Sequence, residues 1–225
     1  ARMGKISEAL PEMEKVLTLR KKIAVARPGR KEDLTALAGS YNNYGLMQFD
    51  LGRKEEGLAT LSEANSLYRK LVEQYPADLE IHSLLGNCSF NYGIKLCESS
   101  RMTEGIAAME QAIPLRQKLV DQSPASAEPK VSLIQNFSAM GWWYHQARRN
   151  AEALKTKQRV VELIEDSLKS SPNSPMLFSG LIQQNHDLGH IQSALGRPID
   201  ARISFEKTIS LLEKYDSFFM SDPNY

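Results

Sequence analysis

The sequence is poor in several things at once. Its 225 residues include only two cysteines and carry a net charge of +1. No apolar run reaches the roughly 18 residues that a membrane-spanning helix needs. No apolar segment behind a basic flank opens the chain, so neither a membrane span nor a signal peptide is expected. The near-neutral charge argues against a nucleic-acid surface, which would concentrate a basic excess on one face. Cys88 and Cys97 lie nine positions apart. At about 100° per residue that puts them on opposite sides of a helix, where they cannot pair. Buried thiols fit a reducing compartment, and the cytoplasm is the expected location. No glycine-rich phosphate loop, GxSxG elbow or kinase signature set occurs, so neither enzymatic activity nor a cofactor is expected.

What the sequence does have is a repeat. Pro28, Pro76, Pro124 and Pro172 follow one another at intervals of 48. Related helical endings precede them: Leu19-Arg20-Lys21-Lys22-Ile23, Leu67-Tyr68-Arg69-Lys70-Leu71, Leu115-Arg116-Gln117-Lys118-Leu119 and the degenerate Leu163-Ile164-Glu165-Asp166-Ser167. A fifth copy, Leu211-Leu212-Glu213-Lys214-Tyr215, keeps the register, with Met220 where its proline would fall. An acidic residue followed by a small one recurs as Glu8-Ala9, Glu56-Gly57, Glu104-Gly105, Glu152-Ala153 and Asp200-Ala201, and glycines recur at Gly45, Gly93, Gly141 and Gly189. No insertion interrupts the array. Self-similarity at such a period is the mark of a stacked-repeat architecture.

Each repeat reads as helix, short turn, helix, then a proline-ended loop. Asp78 is a predicted N-cap for a helix running through Leu85, Tyr92 and Leu96 to about Ser99. A second helix is expected from near Met102 to about Val120. Pro198 falls at a helix's first turn, where its missing N–H costs nothing, while Pro11 and Pro114 fall inside helical stretches.

The spacing Tyr41, Tyr44-Gly45, Gly52, Gly57, Leu61, Ala64 resembles the tetratricopeptide (TPR) pattern, as do Tyr92-Gly93, Gly105, Met109, Ala112 and Leu188-Gly189, Gly196, Ala201, Phe205. The third full repeat departs most, with Lys157 and Val160 in place of the aromatic and the small residue. Against the usual 34 residues, the surplus of 14 is about four helical turns, so helices of roughly 20 residues are expected. This long repeat resembles the TPR arrays that follow some bacterial serine/threonine protein kinases, notably in planctomycetes. The resemblance implies an all-α, right-handed α-solenoid forming one domain over 1–225. A half unit over 1–28 precedes units at approximately 29–76, 77–124, 125–172 and 173–220. Because the first unit holds only a second helix, the chain is expected to be a fragment of a larger signalling protein.

The resemblance further implies that the first helix of each unit lines a concave groove. Counted from the unit glycine, the groove positions are Gly39, Asn42, Asn43, Leu46, Phe49 and Asp50, then Asn87, Phe90, Asn91, Ile94, Cys97 and Glu98. They continue as Gln135, Ser138, Ala139, Trp142, His145 and Gln146, then Gln183, His186, Asp187, His190, Ser193 and Ala194. The set holds no lysine or arginine, so an acidic C-terminal tail is not the expected partner. Amides that donate and accept at once suit a peptide backbone. Asn43 and Asn91, at equivalent positions, are the leading candidates, supported by Asn42, Asn87 and Gln135, with Phe49, Phe90 and Trp142 as apolar anchors. His186 and His190 stand one turn apart, as in a zinc helix. Asp187 replaces the catalytic glutamate and no third ligand is evident, so they are read as groove residues and no metal is expected. Trp143 and Tyr144 are expected in the core. The expected function is a scaffold that binds a protein or peptide, with no nucleic-acid or membrane partner. The alternative is self-association through the stripe Leu10, Met13, Leu17 and Val25 of the half unit.

Overall fold

The computed structural model describes residues 2–124 and 126–216. Nine helices and no strand occur among them: α1 (Arg2–Ala26), α2 (Lys31–Asp50), α3 (Lys54–Gln74), α4 (Leu79–Glu98), α5 (Met102–Gln122), α6 (Ala127–Gln146), α7 (Asn150–Ser170), α8 (Pro175–Ala194) and α9 (Pro198–Tyr215). The first helices begin at 31, 79, 127 and 175 and the second at 54, 102, 150 and 198, so the sequence period is also the structural period. The fold is all-α, of the helical-repeat solenoid class. The expected proline position at Met220 lies outside the described residues.

The helices group into two compact modules, α1–α5 before the break at Ser123 and α6–α9 after it. Their boundary falls where the repeat separates its second and third full units.

Local chemistry explains the helix ends. Asp78 caps α4, its Oδ1 accepting from the N–H groups of Glu80 and Ile81 at 3.1 and 3.2 Å. Its Oδ2 accepts from Lys31 Nζ of α2 at 2.8 Å, and that bond, ahead of the backbone donors, holds the Asp78 pKa below the usual carboxylate value. The turn within each hairpin places one residue in the left-handed region: Gly52 at φ 86°, Ser100 at 65°, Arg148 at 58° and Gly196 at 69°. All four occupy the same register position. The recurrent acid also finds its partner. Arg53, Arg101, Arg149 and Arg197 stand just before the second helices and reach Glu56, Glu104, Glu152 and Asp200 at 3.9, 2.6, 2.8 and 2.7 Å.

The small residues set how closely paired helices approach. A Cβ on Gly105 would come within 2.5 Å of the Gly93 carbonyl oxygen and 2.3 Å of Cys97 Sγ. On Gly141 the nearest atoms to a Cβ would be Lys157 methylenes, at 3.1 Å. One apolar cluster joins three helices: Ala38 of α2, Ala64, Tyr68 and Leu71 of α3, and Ile81, Leu85 and Cys88 of α4. Both cysteines are buried and unpaired, and burial pushes each thiol up to about 12.

The stripe expected to lie bare on α1 is mostly covered. Leu10 and Leu17 are buried with Leu37 and Tyr44 of α2, and Met13 packs beside them. Only Val25, 81 % exposed, is bare as expected. The reason is geometric: a second helix in a stacked array has two neighbours, and this stripe faces the one that follows. The bare face of α1 is another one, carrying Val16, Leu19 and Ile23. Their register equivalents in α3, Ala64, Leu67 and Leu71, are two fully buried residues and one partly buried.

Candidate functional site

In the first module the predicted amides of α2 and α4 meet. Asn91 Nδ2 donates to Asn42 Oδ1 at 3.5 Å, and Asn42 Nδ2 donates to Asn43 Oδ1 at 3.1 Å. The middle amide is engaged at both ends. The outer two each keep one group unengaged among the described residues, the Asn91 carbonyl and the Asn43 amino group. Asn43 is exposed and Asn91 half-buried.

Phe49 is not the accessible anchor expected of it. It is 6 % exposed and packs with Leu58, Leu96 and Ala108, because α4 closes over it. The Lys95 ammonium sits 4.8 Å from its ring centre. Phe90 and Asn87 are engaged by a residue outside the predicted set. Arg116 of α5, 3 % exposed, places its guanidinium 4.8 Å from the Phe90 ring centre and donates from Nη2 to Asn87 Oδ1 at 3.3 Å. Burial lowers its pKa to about 10, so it stays charged at neutral pH.

Cations therefore do reach this face, contrary to the count made on groove positions alone. They arrive from a flanking α4 position and from second helices. Lys95 is bound by Asp50 at 3.2 Å and Glu98 at 3.0 Å. Burial works against its charge, and the two carboxylates outweigh that and leave its pKa raised.

In the second module, α6 and α8 border a cavity of about 210 Å³ lined by Gly141, Trp142, His145, Lys157, Asp187, His190 and Ile191. Trp142 is 48 % exposed and stands edge-on to Trp143, ring centres 4.4 Å apart. Tyr144 is buried, as expected, and Trp143 is half-buried. Lys157 forms the cavity floor. Where Leu61, Met109 and Phe205 lie beneath the first-helix glycines of the other repeats, Lys157 runs under Gly141, and its Nζ reaches Asp187 Oδ2 at 2.6 Å. The Lys157 side chain is 5 % exposed and that of Asp187 27 %. His145 binds Asn150 Oδ1 through Nδ1 at 2.8 Å. His186 and His190 are exposed, with their Nε2 atoms 3.2 Å apart, and Gln183, also exposed, donates to Asp187 Oδ1 at 2.7 Å. Gln135 is exposed on α6.

Solved structures share this arrangement of helices. A protein of Podosopora anserina assigned as a kinesin light chain, with nearly identical TPR-like repeats, aligns over 94 % of this chain and 89 % of its own, at 16 % identity and a TM-score of 0.68. Two MamA structures align at 16 % identity: one over 97 % of this chain and 92 % of its own with a TM-score of 0.52, the other over 94 % and 95 % with 0.50. The chain has a TPR-like fold. No family model matches the sequence, and no curated protein does. The TPR-like arrangement accounts for the first helices α2, α4, α6 and α8 carrying the candidate residues within each module. Among the described residues, no helix is long and apolar enough to cross a membrane.

Proposed function

We propose that this chain is a protein-interaction scaffold that binds an extended peptide across the first helices of a module. The observation that supports it is the amide chain Asn91–Asn42–Asn43. Its unengaged ends are one acceptor and one donor, the complement of a peptide's N–H and C=O. An acidic tail is not the occupant proposed: the groove positions themselves hold no lysine or arginine, and Lys95 and Lys157, which reach these faces from flanking positions, are already paired with carboxylates. Within the first module neither Phe49 nor Phe90 is an open anchor; within the second, Trp142 is an exposed aromatic of its own first helix. The likeness of the 48-residue repeat to kinase-following arrays supports a place in a larger signalling protein, and the unpaired thiols fit the cytoplasm. A peptide-array screen, repeated on the Asn43→Ala plus Asn91→Ala variant, tests the reading. Selected peptides are expected to bind the double variant at least tenfold more weakly, and undiminished binding would remove it.

One observation favours a second reading, self-association through α1. Val16 and Ile23 are 37 % and 38 % exposed, while their register equivalents Ala64 and Leu71 are fully buried.

A further inference from the structure

We propose that His186 and His190 form an open, two-point site for a divalent transition-metal ion of the zinc, nickel or copper class. The two residues stand four apart on α8, so their side chains rise from successive turns of one face. Their Nε2 atoms are 3.2 Å apart. Two nitrogens bound at 2.0–2.1 Å to one tetrahedral ion lie about 3.3 Å from each other. The nitrogen–nitrogen separation thus matches that of two imidazoles sharing one ion.

The rings are held in place from below. Phe205 presents its ring edge-to-face to both, with centres 6.0 Å from His186 and 5.3 Å from His190. Phe205 is itself pressed under Gly189, where an added Cβ would come within 2.5 Å of its ring. A negative charge also lies nearby, with Asp187 Oδ1 4.0 Å from His186 Nδ1, beyond hydrogen-bond reach and close enough to favour a bound cation. Asp187 is fixed in turn by Lys157 at 2.6 Å and Gln183 at 2.7 Å.

Among the described residues no group of three or more histidine, cysteine or acidic side chains converges. Two coordination positions therefore stay open, and the site differs from closed structural zinc sites. Imidazole-only ligation selects borderline transition ions over calcium and magnesium. His190 also lines the cavity beside Trp142, so the open positions border the space where a bound group would supply a further donor. Two neutral imidazoles sharing one N–H···N bond at this distance would also show 3.2 Å, and a titration separates the two cases.

Zinc chloride or nickel chloride titrated into the full chain by calorimetry at neutral pH tests the proposal. One ion per chain is expected. His186→Ala and His190→Ala should each weaken binding at least tenfold, His145→Gln should leave it intact, and magnesium chloride should give no binding. Circular dichroism of each variant establishes that it is folded. Absence of zinc and nickel binding to the parent chain at millimolar ion would overturn the proposal, and so would undiminished binding in the His186→Ala plus His190→Ala variant. The titration contains no peptide, so its outcome and that of the peptide screen are independent.

Discussion

At Ser100 and Arg148 a side chain stands where two sister repeats have glycine, with φ of 65° and 58°. A left-handed backbone costs a non-glycine residue roughly 1–2 kcal/mol. Ser100→Gly and Arg148→Gly are therefore each expected to raise stability by about 1 kcal/mol, read as a higher urea midpoint at constant slope. Other individual residues were less legible. Phe49 sits at a groove position by register yet is buried, because whether it is covered depends on Leu96 and Lys95 of the next repeat. Arg116 and Lys157 are absent from any tally of first-helix positions, since both extend from second helices. Lys157 did leave a signal, as the one charged residue at a position otherwise filled by Leu61, Met109 and Phe205. Breaking a repeat's own rule at a single site is the kind of departure that marks function.

At the scale of the helix, the start and stop positions were readable because they rest on local chemistry: the Asp78 cap, Pro198 in the first turn, and the loop prolines. The arginines at 53, 101, 149 and 197 were equally visible in the sequence, and their pairing with the recurrent acid explains that acid's presence. What the period could not show is how close each helix pair comes. The approach is tightest where glycine faces glycine. Gly105→Ala forces a methyl against the Gly93 backbone oxygen at 2.5 Å, which a rigid helix pair cannot relieve by rotating a side chain. A loss of about 3 kcal/mol is expected. Gly141→Ala meets the Lys157 stem first, at 3.1 Å, and that stem can shift, so the gain in helix propensity offsets much of the crowding. Chemical denaturation of the two variants should separate them clearly, with Gly141→Ala within about 1 kcal/mol of the parent.

For the molecule as a whole, the architecture was legible and the identity of the exposed surface was not. The repeat specified nine helices' worth of order, but it pointed to Leu10, Met13 and Leu17 as the open face of α1 when α2 covers them. α3 packs against both α2 and α4, and the linear sequence does not say which face of α1 corresponds to which of these contacts. If the bare flank serves in self-association, sedimentation velocity should show a concentration-dependent dimer that Val16→Glu plus Ile23→Glu abolishes. A monomer at every concentration would leave α1 with no such role. The common phase of all eight helix starts from α2 to α9 carries a genetic consequence as well. An unequal exchange between two equivalent codons of neighbouring repeats adds or removes one whole hairpin together with both of its turns. The array can therefore lengthen or shorten by recombination while every helix keeps its reading frame and its inward side.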